Sequence, residues 1–211
     1  MLTAIVDYSS GNLHSARKAF EKISEANNLG SVVVTSNPDV ISSADRLVLP
    51  GDGAFPACKT ELLSSEAYDA MVYAAVEKGR PFLGICVGMQ LMAIKGYEYE
   101  ETDGLGWIDG EVCKIDRTDK NLKIPHMGWN TLNIENDHPI LKGILNGDHV
   151  YFVHSFQMVV RNQKQRLAYT DYGTDITAVV GKENLLGFQF HPEKSANIGL
   201  KMIENFLSWS P

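Results

Sequence analysis

From residue 2 to residue 86, short apolar runs take turns with segments of helical spacing, and this alternation limits the folds open to the chain. "LTAIVDY" (2–8), "SVVVT" (31–35), "RLVLP" (46–50) and "PFLGIC" (81–86) read as strands. Between them, Leu13, Ala16, Phe20 and Ile23 recur at helical intervals over 11–26, and Ala67, Ala70, Met71, Ala74 and Ala75 do so over 66–78. A further helix is expected to begin at 87 and run toward 95. Strands separated by helices imply a parallel sheet covered on both faces. In such sheets ligands sit beyond the carboxyl ends of the strands, where Asp7, Gly51 and Cys86 fall.

After about Gly104 the pattern changes to shorter β-rich runs split by Gly, Asn and Asp, such as "WIDGEVCKI", "YFVHSFQMVV" and "LLGFQF". These read as antiparallel additions and hairpins. The last segment, 195–209, carries an apolar stripe of Ile198, Met202, Ile203, Phe206 and Leu207, with Ser195 as its expected N-cap. A helix there packs against the sheet. The expectation is one α/β domain over 1–211, with a central, mostly parallel sheet flanked by helices and antiparallel strands added in the second half.

A formal net charge of −7 leaves little basic surface to neutralise phosphates, which argues against a nucleic-acid binder. No apolar run approaches the ~18 residues of a membrane span, and the N-terminus lacks the pattern of a secretory signal. Three widely spaced cysteines (Cys58, Cys86, Cys113) form neither a disulfide framework nor a zinc pattern, so a reducing cytoplasmic setting is expected.

Cys86 stands apart from the other two. Gly84-Ile85-Cys86-Val87-Gly88 is G-x-C-x-G at a strand-to-helix junction. Flanking glycines permit a sharp corner that lifts the central side chain above the sheet, as in a nucleophile elbow. The N–H of Val87, the next residue, is the expected first donor of an oxyanion hole. A packed, inert cysteine needs no such frame.

A thiol nucleophile requires a base and a group that orients the base. In "GFQFHPEKS" (187–195), His191 and Glu193 are two apart, and Pro192 favours extended backbone at His191. Residues i and i+2 of an extended chain point to one side, so the carboxylate can hold one imidazole nitrogen while the other faces the thiol. The turn Pro50-Gly51-Asp52-Gly53 closes a strand at the same sheet edge and can supply a second oxyanion donor, each being worth ~3 kcal/mol of barrier.

G-x-C-x-G-x-Q (84–90), P-G-x-G (50–53) and H-P-E (191–193) in this spacing resemble the class I, triad-type glutamine amidotransferases. "VDYSSGNLHS" near the N-terminus, "PHMGWN" (125–130) and "YFVHSF" (151–156) are similar to the glutaminase subunits of imidazole glycerol phosphate synthases. The resemblance implies a flavodoxin-like fold and hydrolysis of L-glutamine to glutamate and ammonia. Cys86 would form a glutamyl thioester, His191 would act as acid and base, and Glu193 would orient it. It implies an oxyanion hole from Val87 and the Gly51, Asp52, Gly53 turn. Gln90, Glu98, His154 and Ser155 would bind glutamine. Asn12, His126, Met127, Trp129, Asn130 and Lys194 would form a face for a (β/α)-barrel cyclase subunit in a heterodimer, which would receive the ammonia. No cofactor, metal, nucleic acid or membrane is implied.

Two positions depart from the family pattern: Ser9 stands where Gly is usual, and Asp52 where a small apolar residue is usual. A carboxylate beside a developing oxyanion opposes it, so the Asp52 side chain is expected to point away. Three other readings stay open on the sequence: a glutaminase serving a different synthase, a thiol esterase or peptidase on the same kind of sheet, and a docking module without catalysis.

Overall fold

The computed structural model describes residues 1–116 and 121–211. In chain order the strands are β1 (Leu2–Val6), β2 (Ser31–Thr35), β3 (Arg46–Gly51), β4 (Phe82–Cys86), β5 (Lys95–Gly96), β6 (Thr102–Asp103) and β7 (Gly110–Lys114). They continue as β8 (His126–Thr131), β9 (Asn133–Ile134), β10 (His149–His154), β11 (Phe156–Val160), β12 (Arg166–Asp171), β13 (Asp175–Lys182) and β14 (Leu185–Phe188). The helices are α1 (Leu13–Asn27), α2 (Pro38–Ser43), α3 (Phe55–Ser64), α4 (Ala67–Val72), α5 (Val87–Gln90) and α6 (Ala196–Ser208).

One large sheet has the order β2-β1-β3-β4-β14-β13-β12-β9. From β2 to β14 neighbouring strands are parallel, and from β14 to β9 they are antiparallel. The expected α/β architecture is therefore present. Its parallel part has the 2-1-3-4-5 order of doubly wound sheets, with β14 as the fifth strand. Strands β3 and β4 are buried along their whole length, as sheets covered on both faces require. Two smaller sheets, β10-β8 and β11-β7-β5-β6, carry the segments after Gly104.

Three local expectations differ from the structure. The helix after Cys86 is four residues long, because the carbonyls of Leu91, Met92, Ala93 and Ile94 accept from the amides of 104–108 and draw the chain out of the helical path. Helices α2 and α3 are additional. Asn37 caps α2, its side chain accepting from Asp39 N and Val40 N ahead of Pro38 at the first turn. Finally, Ser195 does not cap α6. Its hydroxyl is buried, donating to the His191 carbonyl (2.6 Å) and accepting from Tyr151 N (2.9 Å).

The topology decides where the chemistry falls. β4 and β14 are parallel neighbours at the centre of the sheet, in register from Phe82↔Leu185 to Ile85↔Phe188. Their carboxyl ends lie side by side, so the chain leaving β14 runs alongside Cys86.

Candidate active site

Cys86 has φ 55° and ψ −113°, a strained conformation for a residue with a side chain, worth ~1–3 kcal/mol. The neighbouring glycines serve space rather than torsion. A Cβ on Gly88 would lie 1.9 Å from the Leu49 carbonyl oxygen, and one on Gly84 would lie 2.5 Å from the Gly88 carbonyl oxygen. Gly51 is excluded from bearing a side chain in the same way, at 2.5 Å from Gly88 N. These close approaches press β3, β4 and the start of α5 together and force the turn onto Cys86 itself.

His191 comes up beside Cys86 from the neighbouring strand end, close enough for the two side chains to interact. Its backbone is extended (φ −96°, ψ 101°), and Pro192–Lys194 then form a short 3-10 turn that returns Glu193 to the ring. His191 Nδ1 and Glu193 Oε1 are 2.8 Å apart. Burial opposes a charged ring, but the Cys86 and Glu193 hydrogen bonds outweigh it and lift the His191 pKa to about 10. The raised pKa favours a protonated ring at neutral pH, set between the Cys86 side chain and the Glu193 carboxylate. His191 and Cys86 are each only 5% exposed.

A cavity of about 220 Å³ opens on Cys86, its wall shared by Asp52, Gly53, Val87, Gln90, Glu98, His154, Ser155 and Phe156 among others. Every residue expected to bind glutamine therefore borders one space. Gln90 Nε2 is committed to the protein, donating to the Phe156 carbonyl and Gln189 Oε1 at 3.0 Å each, so only its oxygen is left for a ligand. Glu98 Oε2 accepts from Phe55 N at 2.8 Å. Asp52 is exposed, and its carbonyl accepts from Ser10 Oγ (2.9 Å) and Cys58 Sγ (3.6 Å). In a trans peptide the next N–H, that of Gly53, points the opposite way. Gly51 lies behind the wall, beside Cys86 in the sheet register.

The chain matches the family model of class-I glutamine amidotransferases over residues 4–209. It belongs to that family. It is 62% identical to the imidazole glycerol phosphate synthase subunit HisH of Ruegeria pomeroyi and 54% identical to that of Cereibacter sphaeroides, in each case over the full length of both chains. In fold it is similar to the crystal structure of a putative GMP synthase subunit from Thermoplasma acidophilum (TM-score 0.68, 19% identity, 98% of this chain and 92% of that one). A second solved structure described as a glutamine amidotransferase gives TM-score 0.70 at 18% identity, covering 96% and 98%.

In this amidotransferase the six residues read as a partner face divide in two. Met127 (62% exposed) and Trp129 (53%) project outward from β8, and Asn12 and Lys194 are also exposed. Asn12 Oδ1 in addition caps α1, accepting from Ser15 N. His126, 2% exposed, and Asn130 turn to the inner side of β8, as strand alternation requires. There they build a chain of fixed polarity. The Phe156 carbonyl accepts from His154 Nδ1 (2.8 Å), His154 Nε2 accepts from His126 Nδ1 (3.0 Å), and His126 Nε2 accepts from Asn130 Nδ2 (3.3 Å). Burial keeps both rings neutral, lowering the pKa of His126 to about 4 and, with help from neighbouring His126 and His191, that of His154 to about 3.

Sequence reasoning missed two contributors. Ser195 ties the His191 carbonyl to β10, and the Tyr151 carbonyl accepts from His191 N at 3.0 Å, so His191 is fastened at both backbone groups. Gln189 lies between Gln90 and Cys86. Its only sequence signal is its place two residues before His191, on the strand that must adjoin the elbow.

Proposed function

We propose that this amidotransferase is the glutaminase subunit of an imidazole glycerol phosphate synthase in histidine biosynthesis. It hydrolyses L-glutamine and passes ammonia to a (β/α)-barrel cyclase with which it forms a heterodimer. The 62% full-length identity to a HisH subunit supports the assignment to that synthase. The observation that carries the chemistry is His191 set beside Cys86, its Nδ1 2.8 Å from Glu193 Oε1, with Cys86 opening on the cavity.

Cys86 sulfur attacks the side-chain carbonyl carbon of glutamine, and the C=O electron pair moves onto oxygen beside Val87 and the 51–53 turn. The tetrahedral species collapses as His191 gives its proton to nitrogen. The C–N bond breaks, ammonia leaves, and the glutamyl group stays on sulfur as a thioester. Neutral His191 then takes a proton from water while the water oxygen attacks the thioester. The C–S bond breaks, glutamate departs, and the thiolate and imidazolium return. Glu193 keeps Nδ1 occupied so that Nε2 is the working nitrogen throughout. Handing ammonia over inside an assembly keeps it from being protonated in bulk water.

The test is glutamate release from L-glutamine by this chain alone and mixed with the cyclase and its nucleotide ligand. A large rise in the mixture that disappears in Cys86→Ala is expected. Cys86-dependent release indifferent to the cyclase would remove the pathway assignment, and no release in either setting would remove the glutaminase.

A further inference from the structure

The polarity of the hydrogen bonds behind Cys86 follows from one acceptor. The Phe156 carbonyl can only accept, so the Gln90 atom 3.0 Å away is the nitrogen Nε2. That same nitrogen lies 3.0 Å from the Gln189 side chain, which therefore turns its oxygen to Gln90. An amide that presents oxygen on one side presents its NH2 on the other, and Gln189 Nε2 faces Cys86 Sγ at 3.9 Å. The sheet puts it there: the register Ile85↔Phe188, carried one residue further, sets Gln189 beside Cys86. Gln189 is fully buried, so its amide must find its partners within the protein, and this orientation gives one to each end.

We propose that Gln189 is a further catalytic residue, an N–H donor to the sulfur that carries the reaction. The proposal rests on the glutaminase reading and deepens it. A hydrogen bond strengthens as its acceptor gains charge, so this donor favours the states in which sulfur is a thiolate. Those are the state before attack and the state reached when the thioester C–S bond breaks. No proton leaves Gln189 at any step. The flanking chain Phe156 carbonyl–Gln90–Gln189 acts through orientation, since it prevents the amide from presenting its oxygen to the sulfur.

Gln189→Glu separates this role from packing. It keeps the shape and the bond from Gln90 Nε2 and, when ionised, puts a carboxylate oxygen in place of the donor at sulfur, whereas Gln189→Met removes the donor in every protonation state. Two readouts are taken: the pH profile of Cys86 alkylation by iodoacetamide, and glutamate release in the mixture with cyclase. In Gln189→Glu the alkylation profile is expected to move about one pH unit toward alkaline pH. Glutamate release is expected to fall about tenfold or more, with KM for glutamine within about threefold of wild type. Gln189→Met, of similar length with no N–H, should move the profile the same way by less, and it decides the matter if Gln189→Glu does not unfold cooperatively. Alkylation profiles superimposable on wild type would overturn the assignment. The alkylation arm needs neither glutamine nor cyclase. Absence of glutamate release by wild type would thus contradict the glutaminase reading, while the profiles still decide the donor.

Discussion

At Gly88 a single methyl group would meet the Leu49 carbonyl oxygen at 1.9 Å, with backbone on both sides of the contact. Gly88→Ala is therefore expected to lower the unfolding free energy by ~2–4 kcal/mol, measured by urea denaturation, and to abolish turnover, since β3 and α5 must part to admit it. Glu193→Gln is the electrostatic counterpart. Losing the charge that fixes the His191 tautomer should cost about 100-fold or more in turnover, with KM for glutamine little changed, as steady-state kinetics of the complex would report. The grouping of Cys86, His191 and Glu193 was legible in the sequence because each stands in a short local pattern: paired glycines, or a proline between two polar side chains. Gln189 was not, because its role depends on the register of a strand about a hundred residues away. Ser195 looked like a cap on local grounds, and its hydroxyl was instead taken by two backbone groups from β10 and the His191 turn.

The parallel strands were legible as elements because buried strands carry unbroken apolar runs, as β3 and β4 do. The stop of α5 was not, since it comes from amides at 104–108 competing for its carbonyls. The β8–β10 pair is the element whose energetics depend most on pH. His126 and His154 are both held neutral well below the ordinary histidine value of about 6.5. The unfolded chain therefore binds more protons on acidification, and the stability these rings contribute is present above that value and lost as pH falls. His191 has the opposite sign: its contribution is full below pH 6.5 and fades as pH climbs toward 10. The stability difference between wild type and His126→Gln, followed by urea unfolding, should shrink by up to about 2 kcal/mol from pH 7 to pH 5. A difference constant with pH would contradict a neutral buried pair.

Over the whole molecule, the exposed β8 face and the base are one strand apart. The Trp129 ring packs edge-on against Tyr151 (6.0 Å, 76°), and Tyr151 backbone groups hold both His191 N and Ser195 Oγ. The partner face proposed from the sequence thus adjoins the strand that fastens the catalytic turn, a connection that no linear motif encodes. The central claim is that Cys86 is the nucleophile of a glutaminase, and the most direct measurement is covalent labelling of the assembled complex with an electrophilic glutamine analogue such as 6-diazo-5-oxo-L-norleucine, mapped by peptide mass spectrometry. The account predicts one adduct, on the peptide carrying Cys86, blocked by excess L-glutamine and absent in His191→Ala. An adduct on Cys58 or Cys113, or none on Cys86, would contradict it.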